Sequence, residues 1–192
     1  MAALRVLALA GSYRTGSYNQ AMIAGLRRVA PKGIEVVDFD LRTVPHYDGD
    51  LEAAGDPETV VALKEAVRGA DAIIIATPEY NGGIPGVLKN GIDWASRMYP
   101  NAPIRDKVVG IMGATPGRSG TRLAQEQLRR VLGRTGAVVV NEPEIEVARA
   151  GWVIEGAEVV SDELNERLRD LLAAVVEAVD NCQVVGSASV VA

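Results

Sequence analysis

The chain has 192 residues, 48% of them hydrophobic and 23% charged, which fits one globular domain of ordinary size and excludes a disordered or fibrous protein. Lys and Arg total 20 against 25 Asp and Glu, and a net charge of −5 has the wrong sign for a protein that coats nucleic acid. One cysteine, Cys182, and one histidine, His46, exclude internal disulfides, a structural zinc site and a Ser-His-Asp triad on a Gly-x-Ser-x-Gly elbow.

In chain order, Leu4 to Ala10 is an almost wholly apolar run closed by Gly11, the pattern of a strand covered on both faces. Ala8-Leu9-Ala10 mimics a signal-peptidase site, but Arg5 interrupts a short apolar stretch and no basic region precedes it, so the strand reading holds. After a Ser/Gly-rich turn, Met22, Leu26, Val29 and Ala30 recur with helical spacing until Pro31 and Gly33 stop the helix. Ile34 to Asp38 reads as the second strand. Phe39 to about Pro57 reads as a loop, of a length that signals function or mobility in a compact domain. A helix from about Glu58 to Arg68 leads to the central strand, Ala72 to Thr77, with its Ile73-Ile74-Ile75 run.

Leu88 to Arg97 is helical, Lys107 to Gly113 is the fourth strand, Ala124, Leu128, Val131 and Leu132 mark another apolar helical face, and Ala137 to Val140 supplies the fifth strand. Ser161 caps a last helix whose first turn holds Asp162 and Glu163 and whose core face is Leu164, Leu168, Leu171, Leu172, Val175 and Val179. Five strands alternating with five helices, with no repeat or linker, predict one α/β domain over residues 1–180, an open parallel sheet covered on both faces, and a frayed or oligomer-contacting tail over 181–192. No apolar run approaches the length of a membrane span, and with no targeting segment and an unpaired cysteine the expected address is the cytoplasm. Such sheets bind ligands beyond the carboxyl ends of their strands, so the loops after strands one, three and four are expected to carry function.

The first of these loops, Gly11 to Asn19, reads as an anion cradle. It joins a helix N-terminus to the side-chain donors Ser12, Ser17 and Asn19 and the charge of Arg14. Gly11 and Gly16 have P-loop spacing, but Ser17-Tyr18 stands where that motif needs Lys-Ser/Thr, and Tyr13 occupies the position of the second dinucleotide-fingerprint glycine. A terminal phosphomonoester fits better than a diphosphate; the plain alternative is a polar turn with a good cap. The second loop, Thr77 to Gly86, is stiffened by Pro78 and Pro85 and opened by Gly82 and Gly83, which lets backbone amides approach a flat ligand; the same dipeptides also build ordinary turns. The third loop, Ala114 to Thr121, closes the other side of the crevice. Arg118 and Arg122 carry two readings, contacts to an anionic nicotinamide cofactor or a solvated basic face.

Gly11-Ser12-Tyr13-Arg14 through Asn19, then Thr77-Pro78-Glu79-Tyr80-Asn81-Gly82-Gly83-Ile84-Pro85-Gly86-Val87-Leu88-Lys89-Asn90 and Ile92-Asp93-Trp94, closely resemble the NADPH-dependent FMN reductase family, which includes flavin-dependent quinone, chromate and azo-dye reductases. The resemblance implies a flavodoxin-like three-layer α/β/α fold with a five-stranded parallel sheet in the order 2-1-3-4-5 and non-covalent FMN at its carboxyl edge. It implies that Ser12, Arg14, Ser17, Tyr18 and Asn19 hold the FMN phosphate, that Pro78, Glu79, Tyr80, Asn81 and Gly82 line the isoalloxazine ring, and that Thr115, Pro116 and Gly117 border it. It also implies a homodimer or homotetramer, in which the helix Leu88 to Arg97 faces a partner or simply packs Trp94 into its own core. His46 is expected to be an ordinary exposed loop residue.

With no acid/base pair or metal cluster in the sequence, the chemistry is expected to reside on the flavin, with no catalytic side chain: hydride passes from NADPH or NADH to flavin N5 and on to a small-molecule acceptor such as a quinone, free flavin, chromate or an azo compound. A flavodoxin-like one-electron carrier and a non-catalytic FMN-binding protein are the alternatives. The low aromatic content, 4%, and the glycine-rich loops argue mildly against the carrier.

Overall fold

The parallel strands keep step with one another, and this register is what assembles the site. In the computed structural model, which describes residues 3–188, β1 (Leu4–Ala10), β2 (Ile34–Phe39), β3 (Ala72–Ala76), β4 (Val108–Ala114) and β5 (Val138–Val139) form a parallel sheet in the order β2-β1-β3-β4-β5. Ala10 pairs with Ala76, Ala76 with Met112, and Met112 with Ile145 of β6 (Ile145–Val147). The strands therefore release their loops at one level along one edge. Every residue of β3 and β4 is buried, as expected for strands covered on both faces.

The helices are α1 (Tyr18–Val29), α2 (Gly49–Ala54), α3 (Glu58–Arg68), α4 (Gly86–Ala95), α5 (Arg122–Thr135) and α6 (Asp162–Ala188). One core cluster packs Met22 and Leu26 of α1 and Leu168, Leu171 and Val175 of α6 against Ala8, Ile74 and Met112. The other packs Leu63 of α3, Leu88 and Ile92 of α4 and Leu128 and Leu132 of α5 against Leu7, Ile73 and Ile111. The result is the α/β/α sandwich and 2-1-3-4-5 order of a flavodoxin-like fold.

Three expectations are corrected. The fifth strand is not one run: β5 pairs with Val108 and Val109, the chain leaves the sheet, and β6 returns to pair with Met112 to Ala114. Asn141-Glu142-Pro143-Glu144 separates the two, since Pro143 has no N–H to give a ladder and the carboxylates favour water. The stretch from Phe39 to Pro57 is not a bare loop. It holds a 3-10 turn at Leu41–Thr43 and α2, begun by Asp40 and Asp48 accepting from the amides of Arg42 (2.9 Å) and Asp50 (2.8 Å). It is stapled to α4 by Asn90, which accepts from Tyr47 N (2.8 Å) and donates to Pro45 O (2.9 Å), and by Trp94 Nε1, which donates to the same carbonyl. Finally, the last helix does not end at Asn181 but continues to Ala188, so the expected tail over 181–192 is helical as far as it is described, and residues 189–192 lie outside the described residues. Ser161 starts that helix as expected, accepting from Leu164 N at 3.2 Å. Before it, β7 (Ile154–Glu155) and β8 (Glu158–Val159) form a small hairpin whose Val159 packs on α1.

Candidate functional site

The site is built first from backbone donors. In the loop after β1, only Gly11, donating to Ala76 O (2.8 Å), and Ser17, donating to Arg14 O (3.1 Å), commit their amides to backbone carbonyls among the described residues. Among the described residues the amides of Ser12 to Gly16 have no protein acceptor. Ser17 is the N-cap of α1, its hydroxyl oxygen accepting from Gln20 N at 3.5 Å, and the N-terminal end of that helix adds its partial positive charge. Arg14 is exposed, donating to Thr15 O (3.2 Å) with its guanidinium 5.3 Å from the Tyr18 ring. An anion placed here meets amides, a hydroxyl-bearing cap and an exposed cation together, a combination suited to a phosphate.

Asn19 does something different from the expected donor role. It is 2% exposed; its Nδ2 donates to Ala114 O (2.9 Å) and its Oδ1 accepts from Ala114 N (3.0 Å). The side chain thus completes the hydrogen bonding of the last residue of β4 and holds the start of α1 against it. Tyr13, which stands where a dinucleotide fingerprint has its second glycine, has a similar bracing role. Its hydroxyl donates to Phe39 O (3.2 Å) and accepts from Leu41 N (2.9 Å), and burial pushes its pKa up to about 12.

In the loop after β3, Asn81 and Gly82 take left-handed φ values of 53° and 74°, and Tyr80 and Gly83 exchange two backbone hydrogen bonds of 3.0 Å. That is the tight two-residue hairpin Asn-Gly favours, and it leaves the amides of Asn81 and Gly82 without an acceptor among the described residues. Tyr80 is 51% exposed beside them. Glu79, expected to line a ring, has its carboxylate on the amide of Ala124 (3.0 Å) in the first turn of α5. Thr121, the N-cap residue of α5, gives that helix no side-chain cap, so Glu79 caps it from 45 residues away. Gln127 of the same helix accepts from Ile84 N at 2.7 Å. Neither Gln127 nor Tyr13 carries a local sequence signal for these contacts.

The third loop meets the others closely. Gly11 lies against the rings of Pro78 and Pro85, and a Cβ on Gly113 would collide with the Thr77 carbonyl and the Thr121 side chain, so no larger residue fits at the end of β4. Thr115, Pro116 and Gly117 follow. Thr115 donates through its amide to Val147 O (2.9 Å) and accepts from Ala150 N (3.0 Å), while Gly117 O accepts from Arg149 N (2.8 Å). No motif or apolar period in the sequence marks this 147–152 segment. Of the two arginines with open readings, Arg122 pairs with Glu126 on the α5 surface, the solvated-face reading, and Arg118 is exposed in the loop. His46 is exposed, and Trp94 is fully buried in the core of its own chain. Among the described residues no group of three His, Cys, Asp or Glu could hold a metal ion, and no helix is long and apolar enough to cross a membrane.

Residues 4–151 match the family of NADPH-dependent FMN reductases. The chain is 42% identical over 147 residues to the NAD(P)H-dependent FMN reductase of Pseudomonas aeruginosa, covering 77% of this chain and 79% of that protein. It is also 42% identical over 143 residues to the quinone reductase of Escherichia coli, covering 73% of this chain and 76% of the other. Among solved structures, the flavoenzyme NAD(P)H:(acceptor) oxidoreductase FerB of Paracoccus denitrificans superposes with a TM-score of 0.83 at 31% identity, over 92% of this chain and 97% of that one. With the strand order, the amide-lined loop after β1 and the Asn-Gly hairpin after β3 already in place, these likenesses establish that the chain belongs to the NADPH-dependent FMN reductase family.

Proposed function

We propose that the protein is an FMN-dependent NAD(P)H oxidoreductase that reduces a small-molecule acceptor such as a quinone. The observation that carries the reading is the set of backbone amides that three loops on one edge leave without an acceptor among the described residues: Ser12 to Gly16, then Asn81 and Gly82, then Arg118 and Ser119. A phosphate needs the first set, and a flat ring with carbonyl and nitrogen edges needs the second, so the donors fit FMN. Ser12, Arg14, Ser17 and Tyr18 hold the phosphate, Pro78 to Gly82 line the ring, and Thr115, Pro116 and Gly117 border it. Asn19 and Glu79 act through the backbone they fix, at Ala114 and Ala124.

FMN held by these residues would supply the two-electron chemistry that the side chains of the chain do not. The amides of Asn81 and Gly82 would offer fixed dipoles to negative charge developing on the ring, and the hairpin bonds of Tyr80 and Gly83 hold those amides without reorganisation. Gly11 packs against the buried rings of Pro78 and Pro85 where the first two loops meet. A single crevice serves both co-substrates, so NAD(P)⁺ leaves before the acceptor enters. The same reading includes a homodimer or homotetramer in the cytoplasm.

Heat-released flavin identified by chromatography, combined with initial rates at varied NADPH and quinone, tests the reading. FMN and parallel double-reciprocal lines are expected. FAD in stoichiometric amount overturns the cofactor, and FMN without nicotinamide turnover makes the protein a one-electron carrier or a binding protein.

A further inference from the structure

The segment after β6 carries an arrangement that the crevice does not use. Trp152 is 74% exposed, whereas Trp94, the other tryptophan of the chain, is fully buried. The Trp152 indole is covered by the guanidinium of Arg149 at 4.6 Å from its ring centroid. Arg149 sits at φ 48°, a left-handed conformation that costs a non-glycine residue energy and persists only where its surroundings impose it. Here they do: Arg149 N donates to Gly117 O (2.8 Å), Ala150 N to Thr115 O (3.0 Å) and Trp152 N to Arg149 O (2.9 Å). The pair is therefore fixed to the loop after β4, at the carboxyl edge.

It also adjoins the loop after β1, because Gly151 lies against the Tyr18 hydroxyl and the Tyr18 ring carries the Arg14 guanidinium. Two arginine-aromatic pairs thus meet at Gly151, and Arg118 follows Gly117 on the same rim. Among the described residues none of Arg14, Arg118 and Arg149 forms a salt bridge. In a chain with a net charge of −5, this rim carries three arginines without a carboxylate partner among the described residues. An arginine stacked on an indole keeps its fork of donors for a phosphate, while the ring offers a face on which a purine stacks.

We propose that Arg149 and Trp152 form a subsite for a 2′-phosphorylated adenosine, the far end of the nicotinamide co-substrate, with the purine on the indole and the 2′-phosphate on the guanidinium. The subsite makes the phosphorylated dinucleotide the preferred one. This rests on the crevice reading above. Arg149 lies inside the span that matches the family, and Trp152 lies just beyond its last residue, Gly151.

The test titrates the flavin-loaded protein with adenosine 2′,5′-bisphosphate and with adenosine 5′-monophosphate, following tryptophan fluorescence and calorimetry. Iodide in buffer is expected to quench Trp152, and the bisphosphate is expected to protect it and to bind at least about tenfold more tightly than the monophosphate. Arg149→Asn, which tolerates the left-handed φ, is expected to bring the two affinities within about twofold. Trp152→Phe is expected to abolish the fluorescence response and weaken both ligands. Equal affinities in the unmodified protein, an unchanged preference in Arg149→Asn, or an indole shielded from iodide without ligand each overturn the proposal. Flavin content and NADH-driven quinone reduction, measured on the same samples, report the crevice reading separately.

Discussion

Replacing Asn19 by alanine separates a ligand-binding role from a bracing one. The substitution removes two buried hydrogen bonds, Nδ2 to Ala114 O at 2.9 Å and Ala114 N to Oδ1 at 3.0 Å, and leaves both backbone groups of Ala114 without their partner. Each bond contributes about 1 kcal/mol net and each stranded buried group costs about 1–3 kcal/mol. Water entering the vacated space recovers part of this, so the expected loss is about 2–4 kcal/mol, or roughly 5–15 °C in Tm for a chain of this size. The assay is urea unfolding of the flavin-free protein, followed by circular dichroism. Asn19→Asp supplies the sign. Its carboxylate still accepts from Ala114 N but sets a second oxygen against Ala114 O, in a site with almost no solvent. The folded-state pKa of the new Asp is therefore raised above its unfolded value, and native stability falls as pH rises through it. The deficit of Asn19→Asp relative to the unmodified protein is expected to shrink from pH 7 toward pH 5, as the protonated carboxyl donates to Ala114 O, while that of Asn19→Ala stays constant. If Asn19→Ala unfolds at the same urea concentration as the unmodified protein and loses only flavin affinity, the side chain is a ligand and the bracing argument fails.

Three other outcomes are expected. Arg14→Ala is expected to weaken FMN binding roughly tenfold to a hundredfold, the effect of losing a hydrogen bond to a charged group, while circular dichroism stays native; a flavin titration checks it. Glu79→Ala, which uncaps α5, is expected to cost about 1–2 kcal/mol in thermal unfolding, and Glu79→Gln, which keeps an acceptor for Ala124 N, is expected to recover at least half of it. Tyr13, raised to about 12 by burial, favours the native state while it is neutral, so stability is expected to fall between pH 10 and 12 as the unfolded chain ionises first; Tyr13→Phe removes that slope, and absorbance of the tyrosinate reports it.

The elements that could be read from the sequence are those whose signal is local. Ala72 to Ala76 is apolar throughout because both faces are covered, Ser161 sits where a cap must, and Asn81-Gly82 builds the hairpin its dipeptide favours. The parts that escaped are defined by distance. Asn19 and Ala114 are 95 residues apart, and Glu79 and Ala124 are 45 apart, so nothing near either residue marks its partner. A donor in a loop rich in Ser and Gly looks the same whether it faces a ligand or the end of a neighbouring strand. Ile145 to Val147 escaped for another reason: a three-residue strand behind Pro143 is too short to show a period. Arg149 and Trp152 follow it in a stretch with no repeat of apolar positions, and only the fold shows that this stretch leads back to the site edge.

The interrupted fifth lane of the sheet has a further consequence at the outer boundary of the molecule. An exposed edge strand is a template on which another chain can pair, and a long flat one invites aggregation. Here that edge is two residues of β5 and three of β6, held out of line by Asn141 to Glu144. No incoming strand finds an unbroken row of donors and acceptors, and Glu142 and Glu144 set charge where it would lie. The opposite edge, β2, is guarded by charge as well, with Glu35 exposed and Asp38 paired with Arg27. A sheet whose β3 and β4 strands are buried throughout is thereby kept from growing by edge-to-edge addition of its own copies.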